Sequence, residues 1–307
     1  MRVLVTGATG LIGQALQPVL RSQGWTVAAL VRSEGRTAAG LGGEIERVDA
    51  SAGPEALAAV LGRCEAVVNL AGAPILGDRW TVARRRQLHD SRVGVTERLV
   101  EAMARANPRP RVLVSGSAVG YYGDRGVERL TEASAPGQDF LARLCQDWEA
   151  AAEQAAALGV RVVRLRTGVV LARQGGALAQ MLPAFRWGLG GPVAGGHQYM
   201  AWIHITDLLG VIAAALADER YRGPINGVAP EAATSREFAR TLGRTLHRTA
   251  ILPLPAFALR VRYGDAASVV LASQRAEPEA LGRLGFGFRY PTLAAALAEI
   301  LGIQQMA

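Results

Sequence analysis

The residues able to do chemistry gather in two stretches. Ser117-Ala118-Val119-Gly120-Tyr121-Tyr122-Gly123 carries a hydroxyl and two phenols, while His197-Gln198-Tyr199, with Trp202 and His204 just beyond, carries two imidazoles. A serine hydroxyl can hydrogen-bond a substrate oxygen and polarise a carbonyl. A phenol can exchange a proton with a hydroxyl or carbonyl, although unassisted it titrates at about 10. An imidazole donates a proton near neutral pH. Each group has a structural alternative. Ser117 could satisfy backbone at a strand end, one of the two tyrosines packs instead of reacting, and His204 could be a hydrogen-bonded structural residue. Metal chemistry finds no ligand set, because Cys64 and Cys145 lie far apart with no His or Cys at ligand spacing.

The turn Gly7-Ala8-Thr9-Gly10-Leu11-Ile12-Gly13 follows the apolar run Arg2 to Thr6 and opens a helix-like stretch. Strand, glycine turn and helix in that order cradle a dinucleotide pyrophosphate. Gly7 permits the tight turn, Gly10 lets backbone N–H groups approach phosphate, Gly13 lets helix and strand pack closely, and the helix dipole favours the anion. Thr9, Leu11 and Ile12 complete the binding turn. About 20 residues further on, an acid would accept from a ribose 2′-hydroxyl and repel a 2′-phosphate. This chain has Arg32-Ser33 there, with Arg36 close behind, so NADP is expected over NAD. Asp49 could accept from the adenine amino group or cap the helix that follows. Leu70, Ala71, Gly72 and Ser115 fall at the ends of two further strands, where ligands bind in open α/β sheets, and join the expected cofactor site.

A parallel sheet is needed to hold these residues, and the first half of the chain alternates short β-branched runs with helical periodicity. Strands are expected near Val3 to Thr6, Thr26 to Val31, Ile45 to Val48, Ala66 to Leu70, Arg111 to Ser115 and Val160 to Leu165. Helices are expected near Ile12 to Gln23, Pro54 to Leu61, Trp80 to Arg105 and Asp139 to Ala157. Six strands in this rhythm make a Rossmann-type, doubly wound α/β fold. Gln174 to Gly196 is glycine-rich without a clean period, as a lid or binding segment would be. A strand at Ala201 to Ile205, a helix at Leu208 to Ala217 and a strand at Ile225 to Val228 follow. Helices around Arg236 to Leu246, Ala256 to Tyr263, Pro278 to Leu284 and Leu293 to Leu301 complete the chain. The expected organisation is an NADP-binding domain over 1–228, with a substrate-loop insertion at about 174–200, and a smaller, mainly helical substrate lobe over 229–307.

Composition narrows the function. With 307 residues, half of them hydrophobic, the chain can bury a large core. The 34 basic residues exceed the 26 acidic ones, giving +8, yet every basic residue is arginine and no lysine occurs. The arginines are scattered, with Arg84-Arg85-Arg86 the only run of three, so a solvated surface is expected and no nucleic-acid partner. The N-terminus enters a strand at once, and the apolar run Leu208 to Ala217 is too short to span a bilayer. The expectation is a cytoplasmic protein without a membrane segment.

The glycine turn, the Ser117 to Gly123 stretch, Gly175-Gly176-Ala177-Leu178, Ala201-Trp202-Ile203-His204-Ile205-Thr206-Asp207-Leu208, Gly223-Pro224-Ile225-Asn226 and Leu284-Gly285-Phe286-Gly287-Phe288 together resemble an extended short-chain dehydrogenase/reductase. The chain is similar to the NAD(P)-dependent epimerase/dehydratase group, and within it to the atypical "epimerase family protein" branch with an additional C-terminal domain of unknown function. The resemblance covers nearly the whole chain. It implies a small-molecule substrate, such as a sugar nucleotide, and a homodimer through the two long helices. His197, Tyr199, Trp202 and His204 would line the substrate side.

Ordinary members of that superfamily use Ser or Thr with a Tyr–Lys pair, the tyrosine exchanging the proton and the lysine lowering its pKa and holding the nicotinamide ribose. Placed by its Glu149 helix, this chain has Leu141 for the tyrosine and Cys145 for the lysine, and the total lack of lysine makes the departure independent of alignment. Ser117 keeps the serine position, leaving Tyr121, Tyr122 or His204 to replace the missing acid. Arg79, Arg92 and Arg186 could meet an acidic substrate, or be exposed or structural; Arg92 falls near where relatives often have asparagine. Two classes of function follow: an NADP-dependent oxidoreductase or epimerase with a rearranged acid, or an NADP-binding regulator or scaffold without turnover.

Overall fold

Val3 and Val5 pack to one side of the strand they share and Leu4 to the other, and all three are wholly buried. A strand enclosed on both faces belongs in the middle of a parallel sheet, where each such side chain contributes about 1.5–3 kcal/mol by burial. A computed structural model describes residues 1–31, 45–49, 51 and 53–303.

In chain order the first half comprises β1 (Arg2–Thr6), α1 (Leu11–Ser22), β2 (Thr26–Val31), β3 (Glu46–Asp49), α2 (Pro54–Leu61), β4 (Ala66–Asn69), α3 (Val82–His89), α4 (Val95–Arg105), β5 (Val112–Ala118), β6 (Arg129–Leu130), α5 (Phe140–Glu153) and β7 (Arg161–Thr167). Next come β8 (Val169–Leu171), α6 (Gly176–Arg186), β9 (Tyr199–Met200), β10 (Trp202–His204), α7 (Ile205–Ala217) and β11 (Gly223–Gly227). The chain closes with β12 (Ala233–Thr234), α8 (Ser235–Thr245), α9 (Ala256–Tyr263), α10 (Ser268–Leu271), β13 (Arg275–Ala276), α11 (Glu279–Arg283) and α12 (Leu293–Leu301). The main sheet is parallel in the order β11-β7-β5-β4-β1-β2-β3. It therefore has seven strands, not six, because the run around Ile225 joins it beside β7. One face packs on α1 and α7 through Leu16, Leu20, Leu208 and Ile212, the other on α2, α4 and α5 through Leu57, Leu61, Leu99, Met103 and Ala152.

Two helical expectations change. The stretch Trp80 to Arg105 is not one helix: Thr81 caps α3 by accepting from the Arg84 N–H, and a π-helical turn, Asp90–Gly94, separates α3 from α4. The wider turn shifts the helical phase and brings Ser91 and Arg92 onto the loop after β4. Ser91 Oγ accepts from the Ala73 N–H at 3.0 Å, and Arg92 Nη2 donates to the Ala73 carbonyl at 2.8 Å. The glycine-rich segment contains α6, whose buried Leu178, Leu182 and Phe185 keep helical spacing. Flanking glycines, including Gly175 and Gly176 at φ 84° and 68°, hide that period in the sequence.

A second core joins β8, α6, α8 and α12 through Leu171, Leu182, Phe185, Phe238, Leu242, Leu297 and Ile300. A capping box starts α8, with Thr234 and Glu237 each satisfying the other's backbone N–H. Among the described residues, no helix is long and apolar enough to cross a membrane.

Candidate functional site

Strand order reverses at the β1–β4 pair, and an open α/β sheet leaves a crevice there beyond the carboxyl ends. Gly7 turns with φ 65°, and a Cβ on it would lie 2.5 Å from the Leu70 carbonyl oxygen. A Cβ on Gly13 would lie 2.3 Å from the Gly7 carbonyl oxygen. Thr6 Oγ1 locks the two strand ends together, donating to Asn69 Oδ1 at 2.6 Å and accepting from the Leu70 and Ala71 N–H groups at 3.1 Å each. The Gly10 N–H is taken by the Gly7 carbonyl and the Gln14 N–H by the Gly10 carbonyl, and no side chain caps α1. Among the described residues, the Leu11, Ile12 and Gly13 N–H groups have no acceptor.

Arg32, Ser33 and Arg36 lie outside the described residues. Asp49 does not cap the following helix. Its Oδ1 accepts from the backbone N–H and hydroxyl of Ser51 at 2.7 Å each, while α2 begins behind Gly53 with Pro54 in its first turn and no side-chain cap. Ser115 is buried, its Oγ 3.5 Å from Asn69 Nδ2, which donates at 2.8 Å to Thr96.

At the end of β5 the Ser117 hydroxyl donates to Glu149 Oε1 at 2.7 Å. That carboxylate also accepts from Arg166 Nε at 2.8 Å and Nη2 at 2.9 Å, and all three residues are buried. Tyr122 is wholly buried, donates to Asn226 Oδ1 at 2.6 Å and accepts from Arg166 Nη1 at 3.1 Å. Burial pushes its phenol up to about 12. Tyr122 is thus the member of the tyrosine pair whose hydroxyl is already partnered, both as donor and as acceptor. Tyr121 is half-buried, with the Arg166 guanidinium carbon 3.5 Å from its ring centroid, and its hydroxyl has no hydrogen-bond partner among the described residues. Cys145 is a neutral thiol, since burial, and after it the Glu149 charge, pushes it up to about 12.

On the expected substrate side, His204 and Trp202 are 1% exposed. Nδ1 of His204 accepts from the Thr206 N–H at 3.1 Å, capping α7, so the proton sits on Nε2 and faces Glu299 Oε2 at 2.9 Å. Burial holds its pKa below the ordinary value. His204 therefore ties α7 to α12. Trp202 belongs to the second core. His197 is exposed, and Tyr199 is half-buried with the Arg275 guanidinium carbon 5.1 Å from its ring centroid.

Sequence reasoning missed Glu149, Arg166 and Asn226 as members of the site. A usable signal was present. Glu149 interrupts the apolar face of α5 between Trp148 and Ala152, and Arg166 stands beside Leu165 in a strand that reads as core.

The NAD dependent epimerase/dehydratase family matches residues 3–226, and a Domain of unknown function (DUF1731) matches residues 254–300. The human Epimerase family protein SDR39U1 is 39% identical over 305 residues, covering 98% of this chain and 100% of its own. The chloroplastic SDR39U1 homolog of Arabidopsis thaliana is 40% identical over 304 residues, covering 98% of this chain and 87% of its own. A crystal structure of the human protein, isoform 2 with NADPH, superposes with a TM-score of 0.88 at 38% identity over 98% of this chain and 99% of that one. With a seven-stranded parallel sheet, a glycine-lined switch point and relatives aligned along nearly its full length, the chain belongs to the NAD dependent epimerase/dehydratase family.

Proposed function

We propose that the chain binds NADP(H) at the β1–β4 crevice and uses it to oxidise, reduce or epimerise a hydroxyl- or carbonyl-bearing metabolite. The N-terminus of α1 carries this reading, because the Leu11, Ile12 and Gly13 N–H groups lack acceptors beneath a turn with no room for a Cβ at Gly7 or Gly13. Orphaned N–H groups at the positive end of a helix dipole suit a pyrophosphate. Thr9 and Gly10 complete that cradle, Leu70, Ala71 and Gly72 wall it with Ser115 beneath, and Arg32, Ser33 and Arg36 would meet the 2′-phosphate. The human relative, described with NADPH, supports this choice of nucleotide.

Bound there, the nicotinamide would supply or accept a hydride. Tyr121 is the group left to move the accompanying proton, its ring held against Arg166 and its hydroxyl uncommitted. Ser117 would have to leave Glu149 to reach a substrate oxygen. His197 and Tyr199, on the 174–200 segment, are assigned to the substrate, as is the lobe from 229 onward. A relative described as a nucleoside-diphosphate sugar epimerase from Corynebacterium glutamicum, 35% identical with a TM-score of 0.79 over 100% of this chain and 59% of that one, supports a sugar nucleotide as the substrate class.

A second reading, an NADP-binding regulator, is favoured by the commitment of Ser117, Tyr122 and His204 to structural bonds. Titration with NADPH and NADH of the wild type and Arg32→Glu tests the nucleotide reading. It expects NADPH to bind at least about tenfold tighter, ~1.4 kcal/mol, with the preference erased in the variant. Binding of neither nucleotide overturns it. NADPH consumption with a panel of carbonyl substrates separates enzyme from regulator, the regulator reading expecting tight binding and no turnover.

A further inference from the structure

We infer that Arg92 receives an acidic group, a carboxylate or phosphate, of the substrate beside the loop that follows β4; the inference rests on the nucleotide-binding reading above. The residue is only 9% exposed, yet its partners are neutral. Nη1 donates to the Leu88 carbonyl at 3.2 Å and Ser91 Oγ at 3.4 Å, and Nη2 to the Ala73 carbonyl at 2.8 Å. No carboxylate among the described residues forms an ion pair with it, whereas Arg166, also buried, has Glu149. Buried charges are ordinarily paired, so a counter-charge has a place to bind here. A guanidinium has five N–H groups, and these contacts leave Nε–H and one Nη2–H without a protein acceptor. Adjacent N–H groups of that kind take a carboxylate or phosphate in a fork.

The surroundings do not discharge it. Cys145 is a neutral thiol, and burial together with the nearby Arg84 lowers Arg92 only to about 10, which leaves it cationic at neutral pH. The position is also built. The π-helical turn Asp90–Gly94 sets Ser91 and Arg92 on the two backbone groups of Ala73, and the guanidinium lies 5.5 Å from the Trp148 ring centroid. A Cβ on Gly72 would stand 3.0 Å from the guanidinium carbon, so a glycine there makes room for it. Gly7 presses on Leu70 while Arg92 presses on Gly72 and Ala73, so the cation is set further along this loop than the α1 terminus. The α1 terminus serves the pyrophosphate; Arg92 serves the second ligand. In a chain whose Leu141 and Cys145 bring no charge, it adds a cation, unpaired among the described residues, from a different helix.

The test titrates inorganic phosphate into the full chain, with and without saturating NADPH, at ionic strength held constant with chloride, and reads thermal unfolding. With NADPH saturating, so that the α1 terminus is filled, phosphate raises Tm in the wild type, fails to do so in Arg92→Gln, and does so weakly in Arg92→Lys, which keeps the charge without the fork. Both variants hold NADPH within about twofold of the wild-type Kd. No response in the wild type, or an equal response in Arg92→Gln, overturns the inference. So does a loss of NADPH affinity of about tenfold or more in both variants, which would give the charge to the dinucleotide. If Arg92→Gln does not fold, Arg92→Lys decides by a weakened or an unchanged response. Failure of the wild type to bind NADPH overturns the nucleotide reading separately, and the phosphate response without NADPH still decides the role of Arg92.

Discussion

Arg166 meets Glu149 edge-on, Nε to Oε1 at 2.8 Å and Nη2 to Oε2 at 2.9 Å, with both side chains enclosed. The pair joins β7 to α5 and forms the floor on which Ser117, Tyr121 and Tyr122 rest. Removing one partner strands the other charge in the interior, so Glu149→Gln is expected to cost about 3–5 kcal/mol, read from urea unfolding. The double change Glu149→Leu with Arg166→Met should recover most of that loss. A single-variant loss below about 1 kcal/mol would show that water reaches the pair.

The two tyrosines should separate cleanly. Tyr122→Phe leaves Asn226 Oδ1 without its donor and is expected to cost about 1–3 kcal/mol in stability with NADPH binding retained. Tyr121→Phe removes a hydroxyl without a partner and should leave stability within about 0.5 kcal/mol while abolishing any NADPH-dependent turnover. Turnover that survives Tyr121→Phe moves the proton donor elsewhere.

Gly10 and Gly13 make a second contrast. A Cβ at Gly13 meets three backbone atoms within 3.0 Å, so Gly13→Ala should destabilise the fold by about 2 kcal/mol or more as well as weaken NADPH. At Gly10 the nearest atom is 3.2 Å away and the backbone is extended, so Gly10→Ala should fold normally and lose NADPH affinity through the methyl placed at the phosphate. Equal stability losses in thermal unfolding would contradict this division.

His204 sets a pH dependence whose sign follows from its neutral state. Its folded pKa lies below the ordinary 6.5, burial being the chief cause, so below that pH the unfolded chain binds more protons than the folded one. Its contribution to stability is full above 6.5 and falls as pH drops beneath it toward the folded value. Urea midpoints measured across this window should decline less steeply in His204→Gln than in the wild type. A parallel decline would mean that other groups carry the slope.

The residue types along the chain determined the β1–turn–α1 unit, the alternation that builds a parallel sheet, and the absence of any lysine, because each is a property of neighbours or of composition. Periodicity reports which side of an element is apolar, so α2, α9 and α12 match their expected spans. It does not report which residues 50 or 100 positions apart will meet. Tertiary packing alone set Asn226 against the Tyr122 phenol and Glu299 against His204, and opened the π-helical turn that turns Arg92 toward Ala73. The physical reason is that a polar side chain takes its role from the partner that satisfies it once water is excluded, and that partner comes from elsewhere in the chain.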